Sequence, residues 1–75
     1  MKTTANKAGS KAVNQGIRDA DAASRILRSN ADLRAWGEEQ QVLAAAALEA
    51  GDNERVAQHG AAASTALAIA MMRKA

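Results

Sequence analysis

Apolar side chains recur at three- and four-residue steps from Ile17 onward, the spacing that keeps one side of an α-helix on one neighbour. In the first such run Ile17, Ala20, Ala23, Ile26 and Leu27 share a side, which predicts a helix over 17–28. Asp21 stands four residues before Arg25, and acid before base at that spacing supports a helix by roughly 0.2–0.5 kcal/mol. Arg28 and Asp32 are also four apart. Ser29-Asn30-Ala31-Asp32 reads as a fresh start, with Ser29 or Asn30 as cap and Asp32 in the first turn. A second run over 31–50 places Leu33, Trp36, Gln40, Leu43, Ala47 and Ala50 on a seam one side chain wide. Gly37 inside it weakens the helix by about 1 kcal/mol relative to Ala and is a place for a bend.

Gly51-Asp52-Asn53 is the plainest punctuation in the chain. Gly51 suits the left-handed position just past a helix end, and Asp52 or Asn53 suits the cap of the next helix. The last run, 53–73, repeats the seam with Val56, Gly60, Ala63, Leu67, Ala70 and Lys74, broadened by Ile69, Met71 and Met72. Asp52 and Glu54 lie at its positive end, Arg73 and Lys74 at its negative end. So short a turn makes the last two helices antiparallel neighbours. The expected fold is all-α: a small helical bundle built on an antiparallel hairpin over 31–74 with its turn at 51–53, inside a helical domain of 17–75. Residues 1–16 are polar and read as a basic N-terminal arm.

Composition sharpens this picture. Alanine supplies 21 of the 75 residues, against 14 larger apolar side chains beyond Met1. Alanine is the best helix former, and the absence of Pro, Phe and Tyr argues against a sheet. With no cysteine, a disulfide scaffold and any Cys-based metal or redox site are excluded. Chains of this size need a staple, very regular helix packing or association, so the bundle is expected to be completed by a partner. The seam residues expected to form core and interface are Leu33, Trp36, Leu43, Val56, Leu67 and Met71. Ala61–Met72, the longest apolar-leaning stretch, contains Ser64 and Thr65 and is too short to cross a bilayer. No apolar leader follows Lys2 and Lys7. The cytoplasm is the expected location, or a virion if the chain is phage-encoded.

Charge is segregated. Residues 1–18 carry +4 through Lys2, Lys7, Lys11 and Arg18, whereas 38–54 carry −5. The basic four could contact phosphate or an acidic partner, which makes a nucleic-acid-associated accessory protein the alternative function. Trp36 stands alone, so no aromatic series is present for stacking on single strands.

Nothing here reads as catalytic or cofactor-binding. His59, the only histidine, has Arg55, Val56, Ala62 and Ala63 at helical neighbour positions, with no carboxylate or second His to share a metal or proton. It reads as a surface residue. Glu38 and Glu39 are adjacent and do not converge on one bond. No GxSxG, P-loop or GxGxxG string occurs. Neither an enzyme nor a small-molecule substrate is expected, and no metal or cofactor.

Leu43, Ala44, Gly51-Asp52 and Ala63 give the stretch 37–70 a pattern that resembles one tetratricopeptide-like hairpin. That family's large aromatics would fall near Gln40, Ala47 and Gly60, and only one copy is present, where solenoids stack three or more. The resemblance therefore implies a helical hairpin and no peptide-binding residues. In outline the chain also resembles small hairpins that dimerise into four-helix bundles. The expected function is protein–protein interaction through an apolar helical seam, docked on a second copy or a larger target. This profile fits accessory proteins of phages and plasmids, virion parts and inhibitors among them.

Overall fold

Ser29 and Gly51 divide the chain where the capping chemistry says they should. The computed structural model describes residues 4–73, with side chains from Ser10 onward, as three helices: α1 (Thr4–Ile26), α2 (Asn30–Ala50) and α3 (Asn53–Met72). Ser29 is the α2 cap, its Oγ accepting from the Asp32 amide at 3.0 Å. Gly51 takes φ 74°, and the Gly51 and Asp52 amides close back on Leu48 and Ala47 at 3.1 and 2.9 Å. Asp52 then caps α3 by accepting from the Arg55 amide at 3.2 Å. Asp21 pairs with Arg25 at 3.0 Å within α1. Arg28 and Asp32 fall on either side of the α1–α2 break and form no such pair.

Where it is described, the stretch expected as an arm over 1–16 is helical: from Thr4 it belongs to α1, which runs 23 residues. Lys2 and Lys74 lie outside the described residues, as does the side chain of Lys7.

The last helix in sequence is the middle one in space. α3 packs along both α1 and α2, whereas α1 and α2 meet only sparsely. Gly16 lies against Gln58 and Ala62 near one end of α3, and Ser24 and Leu27 lie at Arg73 near the other, so α1 and α3 run parallel. Gln40 meets His59 and Asn30 meets Arg73, so α2 runs antiparallel to α3. The molecule measures 44 × 24 × 16 Å.

Methyl groups make most of the core. Ala20, Ala23, Leu33, Ala66 and Ala70 form a buried cluster with Leu27, Trp36 and Ile69 packed against it. Leu33 is the only larger side chain among them that is fully buried, at 0% exposure. Small side chains let helix backbones come close, and that closeness moves the bulky residues aside. On α1 the buried strip is Gly16, Ala20 and Ala23, so Ile17 and Ile26, expected on the inner side, are 42% and 75% exposed. On α2 the buried strip is Leu33, Gly37 and Ala47, with Gln40 and Ala44 half-buried, which leaves Leu43 and Ala50 exposed. Gly37 is no bend: α2 is unbroken through it, and a methyl built there would stand 3.5 Å from Ala66 Cβ and Leu67. Met71 and Met72 do not close the bundle end, being 76% and 78% exposed.

At Gly16 the approach is closest. A β-carbon there would sit 2.1 Å from the Gln58 carbonyl oxygen and 2.9 Å from the Ala62 nitrogen, so only glycine fits. At the other end of α3 the Arg73 guanidinium crosses to the C-terminus of α1. It donates to the Ser24 carbonyl at 3.2 Å, the Leu27 carbonyl at 3.0 Å and the Arg28 carbonyl. Asn30 Nδ2 in turn donates to the Arg73 carbonyl at 3.1 Å. Carbonyls at a helix end lack intrahelical partners, and one cation satisfies them here while also meeting the negative end of the α1 dipole.

Candidate interaction surface

The two outer helices come together near their connection, where Ala20, Ala23, Leu27, Leu33 and Trp36 gather over α3. Elsewhere the contact between α1 and α2 is sparse. Helical register places Val13 and Ile17 on the flank of α1 that continues from Ala20, and Leu43 on the flank of α2 that continues from Trp36. Val13, Ile17 and Leu43 are each about two-fifths exposed, half covered by their own fold and half open. On α3, Ala62 and Ala63 are buried and His59 is half-buried.

His59 is therefore not a free surface residue. Its Nδ1 lies 2.7 Å from Gln40 Oε1, a hydrogen bond that links α2 to α3. A matching polar link joins α1 to α3: Gln58 Nε2 donates to Asp19 Oδ2 at 3.2 Å, and Gln15 Nε2 to Asp19 Oδ1 at 2.8 Å.

Of the predicted seam, Leu33 is buried, Trp36, Val56 and Leu67 are half-buried, and Leu43 and Met71 are exposed. Of the basic set, Lys11 and Arg18 are both exposed. They line an open groove of about 670 Å³ on the α1–α3 side together with Arg55, but Asp52 and Glu54 line it too. The described ion pairs, Arg25–Asp21 and Arg55–Asp52, both stay within one helix or its cap. Arg18, Glu39 and Glu49 make none among the described residues. Also among them, no group of three or more His, Cys, Asp or Glu side chains could hold a metal ion, and no helix is long and apolar enough to cross a membrane.

Gly16 and Arg73, the two residues that set the geometry of α1, were missed by sequence reasoning. Gly16 was placed at the end of an arm, and Arg73 was read only as a charge near its own helix end. The signal for Gly16 was its spacing of four and seven from Ala20 and Ala23, a small-residue strip along one side of a helix.

No family model, curated protein or solved structure matches this chain.

Proposed function

We propose that this chain is a non-enzymatic helical interaction module that works by docking exposed apolar helix surfaces on another protein chain. One observation carries the reading. Val13, Ile17, Ile26, Val42, Leu43, Leu48, Met71 and Met72 are all exposed, while the core is filled by alanines and Leu33. A chain that spends its scarce large side chains on the outside has placed its binding material where a partner can reach it. Segregated charge supports the same reading, since an acidic 38–54 block and a basic α1 can fix the orientation of a docked partner. Phosphate binding through Lys11 and Arg18 is opposed by Asp52 and Glu54 in the same groove.

The test is retention from source cells by tagged wild-type chain and by an Ile17→Glu/Leu43→Glu variant of equal helicity. Wild type should hold at least one protein, an untagged copy of itself included, that the variant loses. Equal retention by both, or none by either, overturns the reading.

A further inference from the structure

We propose that the break between α1 and α2 is a latched hinge. When the latch opens, residues 27–29 become helical, α1 and α2 merge into one straight helix over 4–50, and α1 lies on α3 of a second copy, which returns its own α1. The vacated face of α3 is thus covered by the helix that already fits it. This does not draw on the docking surfaces above.

The hydrogen bonds at the break are those of a latch. In an α-helix each amide donates to the carbonyl four residues back. A straight helix through the break needs the Ser24, Leu27 and Arg28 carbonyls for the amides of Arg28, Ala31 and Asp32. Those three carbonyls are the ones that the Arg73 guanidinium holds. The Asp32 amide is held as well, by Ser29 Oγ at 3.0 Å. The helical bond from Asp32 to Arg28 is therefore blocked at both of its ends. Leu27-Arg28-Ser29 contains neither Gly nor Pro, so once these groups are free its own propensities allow a helix. Straightening also brings Arg28 and Asp32, separated by the bend, one turn apart on a single helix, where opposite charges attract.

The packing permits the exchange. α1 packs along α3 and meets α2 only sparsely, so on leaving its own chain it gives up little besides the α1–α3 contact. A second copy restores that contact, the close approach at Gly16 included. The directions agree too. α1 runs parallel to α3 with its C-terminal end at Arg73, and α2 runs antiparallel to α3 with its N-terminal end there. Once α1 and α2 are in line, a two-fold axis through the hinge and perpendicular to the long helix lays α1 of each copy parallel on α3 of the other, with the same residues level. Each copy gives and receives one helix, so the assembly closes at two. Only the hinge differs between the two forms.

Spin labels on Lys11→Cys and Glu49→Cys, both exposed sites, test this by electron resonance distance measurement, with sedimentation equilibrium from about 1 to 100 µM alongside. In the closed form both sites lie at one end of the molecule, Lys11 lining a groove with Asp52, and their backbones are less than its 44 Å length apart. In the straight form 38 helical residues separate them, about 57 Å. Refolding labelled chain with about a tenfold excess of unlabelled chain ensures that the distance is read within one chain. Wild type should show the short distance. Arg73→Ala takes three hydrogen bonds from each closed hinge and none from the straight one, so it should lower the dimer Kd at least about a hundredfold. That dimer should show the long distance and undiminished helicity. Adding Asn30→Pro should bring back the monomer and the short distance: proline suits the first position of α2, behind the extended Ser29, and breaks a straight helix. An Arg73→Ala chain that is monomeric at about 100 µM, loses helicity, or dimerises with the short distance overturns the proposal. A dimer that survives Asn30→Pro overturns it as well.

Discussion

Replacing Gly16 by alanine should destabilise this protein, although the same change at Gly60 should stabilise it. Both glycines lie inside helices, where alanine is favoured by about 1 kcal/mol through backbone entropy alone. At Gly60 a new methyl meets nothing within 4 Å, so that gain is kept. At Gly16 it would stand 2.1 Å from one backbone oxygen and 2.9 Å from a backbone nitrogen. Neither atom can rotate away as a side chain could, so α1 must lift from α3 by about 1 Å to restore an ordinary contact. A gap of that size forfeits about a quarter to a half of each contact it opens, and the methyls of Ala20, Ala23 and Ala62 are short contacts with little reach. Overpacking of this kind typically costs about 1–3 kcal/mol, and the rigid neighbours put this case at the upper end. Net of the helix gain, Gly16→Ala should lose about 2 kcal/mol and Gly60→Ala should gain up to about 1 kcal/mol. Urea unfolding followed at 222 nm, at one fixed protein concentration, measures both. In a chain of this size each kcal/mol moves Tm by about 4–8 °C, so thermal melts should separate the two variants clearly. A Gly16→Ala protein as stable as Gly60→Ala would refute the close approach of α1 and α3.

Three further outcomes are expected. Arg73→Ala removes the cation that serves the α1 C-terminus, and should cost about 1.5–3 kcal/mol in urea unfolding; Arg73→Lys should recover only part, because one ammonium cannot span three carbonyls held by a planar fork. Leu33→Ala empties the largest fully buried side chain and should cost about 2–5 kcal/mol, whereas Met72→Ala should stay within about 0.5 kcal/mol of wild type. Gly51→Ala should cost about 1 kcal/mol, because φ 74° carries a steric penalty for any β-carbon; an unchanged midpoint would count against the left-handed cap.

What the amino-acid order makes legible here is where helices begin and end. Ser29, Gly51 and Asp52 each solve a local problem, an unsatisfied amide or a reversed backbone, and local problems have local signatures. Which side of each helix faces inward is a different matter. In a run such as Ala44-Ala45-Ala46-Ala47 the apolar pattern is nearly uniform around the axis, so hydrophobicity alone cannot orient α2. A reading that followed bulk placed Ile17, Ile26, Leu43 and Met71 inside. The fold instead follows smallness, bringing Gly16, Gly37 and the alanines of α3 together and leaving bulk at the flanks. The central place of α3 was illegible for the same reason: α1 and α2 both close on α3 and only sparsely on each other. The Gln40–His59 contact joins a polar seam residue to one that looks like surface in isolation.

The position of α3 also dictates the sequence of events in assembly. While only α1 and α2 have been made, neither finds more than a sparse contact with the other, so the first two-thirds of the chain has almost nothing to condense on. The α2–α3 hairpin, closed by a tight turn, is the segment able to form early. α1 must then wait and dock last, across a long stretch of chain, with Arg73 catching its end. A nascent chain of this protein should thus stay open and accessible to proteases until its final helix emerges, then close in one step.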